Sequence, residues 1–388
     1  MKLLRIALIP FALFCVAIMR LARGRIRIGV LQADRLGHLA GNTEVYLCER
    51  DEAGKRYLDI WASPPPANAY LLTMLRRVIN IDRSGFALIV LKVNRVFRDW
   101  QRYEIQTPHL DRDTGNLFEK YPPRLTFTTM EEARCESTLR KMGIPAGAKW
   151  VCLIVRDGAY LPTLGYHSFR DSDVDDYLQA ATELTLRGYY VIRMGAKVNK
   201  PLVTSNPRII DFPYHPERSD FLSLYLGAHC EFCISTGTGF DAIPYIFRRP
   251  ICYVNYVPLE YLFTFAQGSL AIWKHHEKDG KRMTPAEIYA SGAGHFMSAQ
   301  EYEDAGITLV DNTPQEIADV VLEMADSVHG VVPDITVPAL HAAYKASHKA
   351  QLAFWSTFPR SNSTYTQKPL HGEIRMRIGS KFLDGYQR

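Results

Sequence analysis

Residues 150–155 read WVCLIV and residues 172–195 read SDVDDYLQAATELTLRGYYVIRMG, and these two stretches decide the fold class. WVCLIV is a short, unbroken apolar run, as expected of a buried strand. In the second stretch Val174, Tyr177, Leu178, Ala181 and Leu184 fall on one face at helical spacing. Ser172 is placed to cap that helix, with Asp175 as the acid of a capping box, and Gly188 stops it. Residues 189–194 follow as a second strand.

The alternation continues downstream. Residues 219–229 read as a helix, 232–235 as a strand, 240–247 as a short helix and 251–255 as a strand. Residues 307–310 read as the last strand. Thr313, Pro314 and Glu316 then supply an N-cap, a first-position proline and a capping-box acid for a helix running to Met324. Strands alternating with helices imply a parallel, doubly wound sheet with ligands at the strand carboxyl ends.

Upstream the pattern is weaker. Residues 25–31 read as a first strand that ends in a glycine-containing loop over 32–42. Further strands are expected at 45–48 and 87–91, and helices at 67–78 and 130–142. Pro64, Pro65 and Pro66 mark a stiff turn. The chain therefore divides into an N-terminal α/β domain over 25–145 and a C-terminal one over 146–330. Segment 1–24 precedes them, and a C-terminal helix and tail over 331–388 follow.

The 388 residues are 47% hydrophobic and 22% charged, enough for a sizeable core and incompatible with wholesale disorder. Net charge is +5, far from a nucleic-acid-binding footprint. Seven cysteines at irregular spacing argue against a disulfide scaffold and for a reducing compartment. Residues 6–19 are uncharged and apolar, bounded by Arg5 and Arg20. The run is short for a spanning helix, although Arg5 can snorkel and extend it. The sequence Leu21-Ala22-Arg23-Gly24 offers no signal-peptidase site. Arg20, Arg23, Arg25 and Arg27 would stay on the cytoplasmic side and attract anionic lipid. Segment 1–24 thus reads as an uncleaved anchor, spanning or monotopic, at the cytoplasmic face of the inner membrane. A buried N-terminal helix is the alternative.

Chemistry is expected at the strand ends. Ser235-Thr236-Gly237-Thr238-Gly239 follows one strand and opens a helix, a loop whose N–H groups and helix dipole suit an anion. Arg156 ends one strand, and Arg193 with Gly195 ends another, offering guanidinium forks to phosphate. The same loop fits a dinucleotide fingerprint through Ala242, but Asn255 stands where the ribose-binding acid is needed. No P-loop motif is present. Asp111-Arg112-Asp113 and Asp171-Ser172-Asp173 match a D-x-D pattern that arises easily by chance, and no metal is assigned. Cys230-x-x-Cys233 reads as packed free thiols, and His275-His276 as a solvated loop. In the first half, Asp34, Arg35, His38 and Asn42 cluster after the first strand. A histidine there can act as a general base, with Asp34 or Glu44 orienting or replacing it. The same residues also fit a plain turn.

On Ile28-Gly29 through Asp34-Arg35-x-Gly-His38 and Asn42, Val155-Arg156-Asp157, Arg193-Met194-Gly195, Ser219-Asp220-Phe221 and Ser235–Gly239, the chain resembles a bacterial glycosyltransferase family from surface-polysaccharide clusters. The resemblance covers residues 25–360. It implies a GT-B-like fold, with two Rossmann-like domains facing a cleft. It also implies a nucleotide-sugar donor in the C-terminal domain, a glycan or lipid-linked acceptor in the N-terminal one, and no cofactor or obligatory metal. On that reading the donor contacts are Arg156, Arg193, Gly195, Ser235, Thr236, Gly237, Thr238 and Gly239. His38 or Asp34 takes the acceptor proton, with Arg35 and Asn42 on the acceptor side. Asp241 departs from the pattern, because a carboxylate in the first helical turn repels a diphosphate. A nucleotide-sugar epimerase of the same shape, or an inactive membrane-anchored interaction protein, remains the alternative.

Overall fold

A computed structural model describes residues 7–54, 56–105, 112–159, 165–331 and 373–384, together with positions 342, 345–347 and 349. The chain forms two compact units, one over residues 1–112 and 117–126, the other over 113–116 and 127–388. Both are α/β with parallel sheets.

The first unit holds a three-stranded parallel sheet, β1 (Ile26–Val30), β2 (Leu58–Ala62) and β3 (Asn80–Ile81), in that order. Two expected strands are helices. Residues 45–48 lie in the helix Thr43–Glu52 and are buried throughout, and a short apolar run alone does not separate a buried helix from a strand. Residues 87–91 lie in the helix Phe86–Asn94. Asp82 starts it by accepting the Ala87 N–H at 2.8 Å, and Ala87, Val90, Leu91 and Asn94 form its buried stripe. The loop expected over 32–42 ends as a π-helical turn, His38–Asn42, running directly into Thr43–Glu52.

The N-terminal apolar segment forms the helix Ile9–Leu21. At 13 residues it is about 20 Å long, short of a hydrocarbon core of about 30 Å. Among the described residues no helix is long and apolar enough to cross a membrane. Ala12, Val16 and Met19 pack into the first unit's core with Ile28, Ala62, Val90 and Leu91.

The second unit carries a seven-stranded parallel sheet: β4 (Trp150–Ile154), β5 (Tyr190–Arg193), β6 (Ile209–Asp211), β7 (Cys233–Ser235), β8 (Ile251–Tyr253), β9 (Leu270–Ala271) and β13 (Arg377–Ile378). Their order is β13-β9-β8-β7-β4-β5-β6. The chain winds outward from β4 through β5 to β6, then returns to β7 and winds the other way. The switch point therefore lies between β4 and β7, where crevices for ligands form in doubly wound sheets. Residues 307–310 do form a strand, β12 (Ile307–Val310), but not the last and not in this sheet. It pairs antiparallel with β10 (His275–Lys278), which also pairs with β11 (Lys281–Arg282).

That ladder explains why His275 and His276 are not a solvated loop. Both are buried, with His275 bonded to Glu316 at 2.9 Å and stacked on Phe382. Burial pulls His276 down to about 4. Cys230 and Cys233 are buried free thiols.

Candidate functional site

The β4 and β7 loops are tied together at the switch point. The Arg156 N–H donates to Thr236 Oγ1 at 2.9 Å, and the Thr236 N–H to the Ile154 carbonyl at 3.3 Å. The glycine-rich loop then closes on itself. Gly237 N–H donates to Ser235 Oγ at 2.9 Å, Thr238 N–H to Asp241 Oδ2 at 2.8 Å, and Phe240 N–H to Thr238 Oγ1 at 3.2 Å. Ser235 and Thr238 hydroxyls also bond Asp241 Oδ1. The anion in this loop is thus the chain's own carboxylate, in a capping box with Thr238. Burial pushes Asp241 up to about 6, against the pull of the Ser235 and Thr238 bonds and the Arg170 charge.

Of the two loop glycines, Gly237 has φ +80, and a Cβ there would meet the Tyr256 ring at 2.6 Å. Gly239 opens the short turn Gly239–Asp241 and is not left-handed. A positive φ is therefore required at Gly237 alone. At Gly195, φ is +156 and a Cβ would meet Val198 at 2.7 Å.

The arginine forks are partly spent. Arg156 Nε donates to Asp171 Oδ1 at 3.1 Å. Arg193 is 1% exposed; it donates to the Lys200 carbonyl at 2.7 Å and to Asp211 at 3.2 Å, with Asp157 at 3.7 Å. Among the described residues its Nε has no hydrogen-bond partner. Arg193 lines a cleft of about 440 Å³ with Asp157, Asp171, Ser172, Asn199 and Lys200. The Ser235–Gly239 loop is not part of that lining, so Arg193 and the loop serve adjoining places rather than one.

Two further participants, Arg170 and Lys274, escaped the sequence reading. Arg170 donates to the Gly237 carbonyl and has a buried, unpartnered Nε; burial pulls its guanidinium below its ordinary value. Lys274 is buried and donates to the Asp171 carbonyl at 2.6 Å, with Asp311 at 2.8 Å. Burial holds Asp171 above its ordinary value even with Arg156 beside it. None of these residues sits at a strand end, where the sequence signal for a ligand site lies. Asn255 marks no ribose site: in a left-handed conformation, φ 52, its amide reaches Ser172 at 3.0 Å and Tyr177 at 3.2 Å, and its N–H and Oδ1 bond Asn312. Ser172 is consequently not the helix cap. Asp173 caps the 3-10 turn Val174–Tyr177 that leads into the helix Leu178–Leu186.

In the first unit His38 Nδ1 lies 3.4 Å from Asn42 Nδ2, and Asn42 also donates to Gln32. Asn42 is buried and its Oδ1 is unpartnered. Asp34 and Arg35 are exposed and make no side-chain hydrogen bond among the described residues. Among the described residues Asn42, rather than Asp34, is the side chain that approaches the His38 ring. Glu44 is buried and accepts the Arg124 N–H at 3.3 Å. Asp113 is buried, and Asp111 lies outside the described residues. Among the described residues no three His, Cys, Asp or Glu side chains group as a metal site.

No protein-family model matches the chain, and no curated protein matches it. Among solved structures, the ADP-heptose lipopolysaccharide heptosyltransferase II of E. coli covers 78% of this chain and 98% of its own, at 13% identity and TM-score 0.42. A glycosyl transferase of family 9 from Veillonella parvula covers 78% and 96%, at 8% identity and TM-score 0.43. The iron-containing dodecameric glycosyltransferase TibC of enterotoxigenic E. coli covers 79% and 78%, at 12% identity and TM-score 0.41. Likenesses of this size assign no activity, and the functional reading rests on the site.

Proposed function

We propose that the protein is a glycosyltransferase of GT-B type. It moves a sugar from a nucleotide-sugar donor to a glycan or lipid-linked acceptor of the cell surface, at the cytoplasmic face of the inner membrane. The observation that carries this reading is the pair of buried, unpartnered Nε atoms on Arg170 and Arg193 at the carboxyl edge of a doubly wound sheet. A buried charged donor without a partner is costly, and an oxyanion ligand would satisfy it. Beside them the cleft lining carries Asp157, Asp171, Asp173 and Asp311, together with Ser172 and Asn199. Carboxylates repel phosphate but accept hydrogen bonds from hydroxyls. A ligand with both a diphosphate and a polyol suits this mixture better than either alone.

On this reading Arg156, Arg170 and Arg193 stabilise charge developing on the leaving diphosphate. Gly195 and residues Ser235, Thr236, Gly237, Thr238 and Gly239 shape the wall against which it rests. His38 takes the acceptor proton through Nε2. For that its Nδ1 must carry a hydrogen and needs an acceptor, which the unpartnered Oδ1 of Asn42 provides after one amide rotation. Asp34, exposed nearby, is the second candidate base.

Two variants test the division of labour. Arg193→Ala should weaken donor binding by roughly 10- to 150-fold, the worth of one charge-assisted contact. His38→Ala should leave donor binding intact and lower turnover by ~10²–10⁴-fold. Calorimetry with a panel of nucleotide-sugars reads the first, and mass spectrometry of transfer products the second. Normal donor affinity in Arg193→Ala would place the donor elsewhere.

A further inference from the structure

The helix Ile9–Leu21 is apolar on nearly every side, yet only Ala12, Val16 and Met19 are buried. Phe11 and Phe14 are 65% and 66% exposed and Leu21 82%, and Leu13 and Ile18 face outward with them. A helix apolar all round belongs in a core or in a bilayer, and a contiguous bulky patch of this kind marks a docking surface. Beside it opens a groove of about 660 Å³, bordered by Cys15 and Ile18 and lined by Ile28, Ile60 and Ile81. Arg76 and Arg83 line the same groove.

The charges left unpaired around this face are of one sign. Arg76 and Arg83 are exposed, as are Arg23 and Arg25 just past the helix, and among the described residues none of the four pairs with a carboxylate. The acid in the groove lining, Asp82, is occupied: it accepts the N–H groups of Ser84 and Ala87 and the Ser84 hydroxyl. Apolar bulk rimmed by unpaired guanidiniums complements an anionic lipid surface. The core-facing stripe through Ala12, Val16 and Met19 keeps the helix tied to the first unit, so the segment can lie in the membrane interface without crossing.

We propose that this face is a monotopic docking surface for an anionic phospholipid bilayer. The outer side of Ile9–Leu21 sits at the boundary of headgroups and acyl chains. The groove accepts one acyl chain, whose phosphate meets Arg76 and Arg83. The inference deepens the membrane partner of the proposed function, and it is read without donor or acceptor, so either can fail alone.

The test is co-sedimentation of the full-length protein with vesicles of phosphatidylcholine, with and without phosphatidylglycerol. The wild type should bind the anionic vesicles and release in high salt. Phe11→Ser/Phe14→Ser should bind at least tenfold more weakly with an unchanged thermal melt, since both rings are exposed. Arg76→Glu/Arg83→Glu should lose the preference for phosphatidylglycerol. In calorimetry, dihexanoyl-phosphatidylglycerol below its micelle concentration should bind the wild type and not the arginine variant. No vesicle binding by the wild type at low salt would overturn the proposal. So would undiminished binding by the phenylalanine variant. A soluble dimer that the phenylalanine variant dissociates, with no vesicle binding, would assign the face to a second copy of the chain instead.

Discussion

Asp241 shows how one side chain changes the meaning of a motif. The Ser235–Gly239 loop has the composition of a phosphate cradle, but the Thr238 amide and the Ser235 and Thr238 hydroxyls are turned onto a carboxylate six residues from its start. Holding that charge in the interior costs free energy. The folded state keeps the proton to about pH 6, whereas an unfolded aspartate releases it near 3.8. Between those values the folded state binds more protons, so this group's contribution to stability falls as pH rises, by roughly 3 kcal/mol in all. His276 works in the opposite direction, because its folded value of about 4 lies below 6.5 and its contribution falls as pH drops through that window. A comparison isolates the first effect. The stability of wild type relative to Asp241→Asn should decline from pH 4 to pH 7 in denaturant titrations. Parallel curves would mean that Asp241 is ionised throughout. If a donor diphosphate rests on this loop, Asp241→Asn should also tighten donor binding at pH 7, by removing the competing charge.

Among the elements, capping decides more than apolar patterning does. Thr313 and Glu316 form the expected capping box on the helix Pro314–Ser327, with reciprocal bonds of 3.2 and 2.8 Å. Thr128–Glu131, Thr284–Glu287 and Ser298–Glu301 repeat the device. Glu316 is also the acceptor for buried His275; burial alone would raise its carboxyl, but the His275 and Thr313 bonds hold it down to about 2. Thr313→Ala should cost about 1 kcal/mol of stability, measured by chemical denaturation. A loss within 0.3 kcal/mol of zero would show that packing alone holds the helix start. The Thr313–Glu316 box was legible because cap and acid lie three residues apart in the chain. The strands expected at 45–48 and 87–91 were misread because four or five apolar residues fit either element. In Phe86–Asn94 the deciding contact is Asp82 to Ala87, outside the apolar run itself.

For the molecule as a whole, the N-terminal helix is both a core element and an exposed apolar face. Deleting residues 1–24 would strip Ile28, Ala62, Val90 and Leu91 of the Ala12, Val16 and Met19 side chains that cover them. Burying each such side chain is worth about 1.5–3 kcal/mol. The truncated protein should therefore lose a cooperative transition for its first unit, or become insoluble, rather than emerge as an intact soluble body. Differential scanning calorimetry decides this, and an unchanged melting profile would refute the core role. The positive charge at the second unit's candidate site comes from Arg156 and Arg193 at strand ends and from Arg170 and Lys274 beside them. Donor binding and transfer should accordingly survive EDTA. Activity lost on chelation and restored by manganese would reassign the leaving-group charge to a metal.

Local signals in the chain determined the α/β class, the positions of β1, β4, β5, β7 and β8, the Thr313 cap and the placement of arginines at strand ends. Each of these depends on residues within one turn or one strand of each other, so periodicity and capping chemistry suffice. Tertiary structure alone decided that β12 leaves the parallel sheet, that His275 and His276 are buried, that Asn255 links Ser172, Tyr177 and Asn312, and that Arg170 reaches Gly237 across 67 residues of chain. It also decided that the loop's anion is Asp241. The physical reason is the same in each case. Burial and hydrogen-bond partners depend on which distant segments arrive beside a residue, and a polar side chain reads identically in sequence whether water or a buried donor satisfies it.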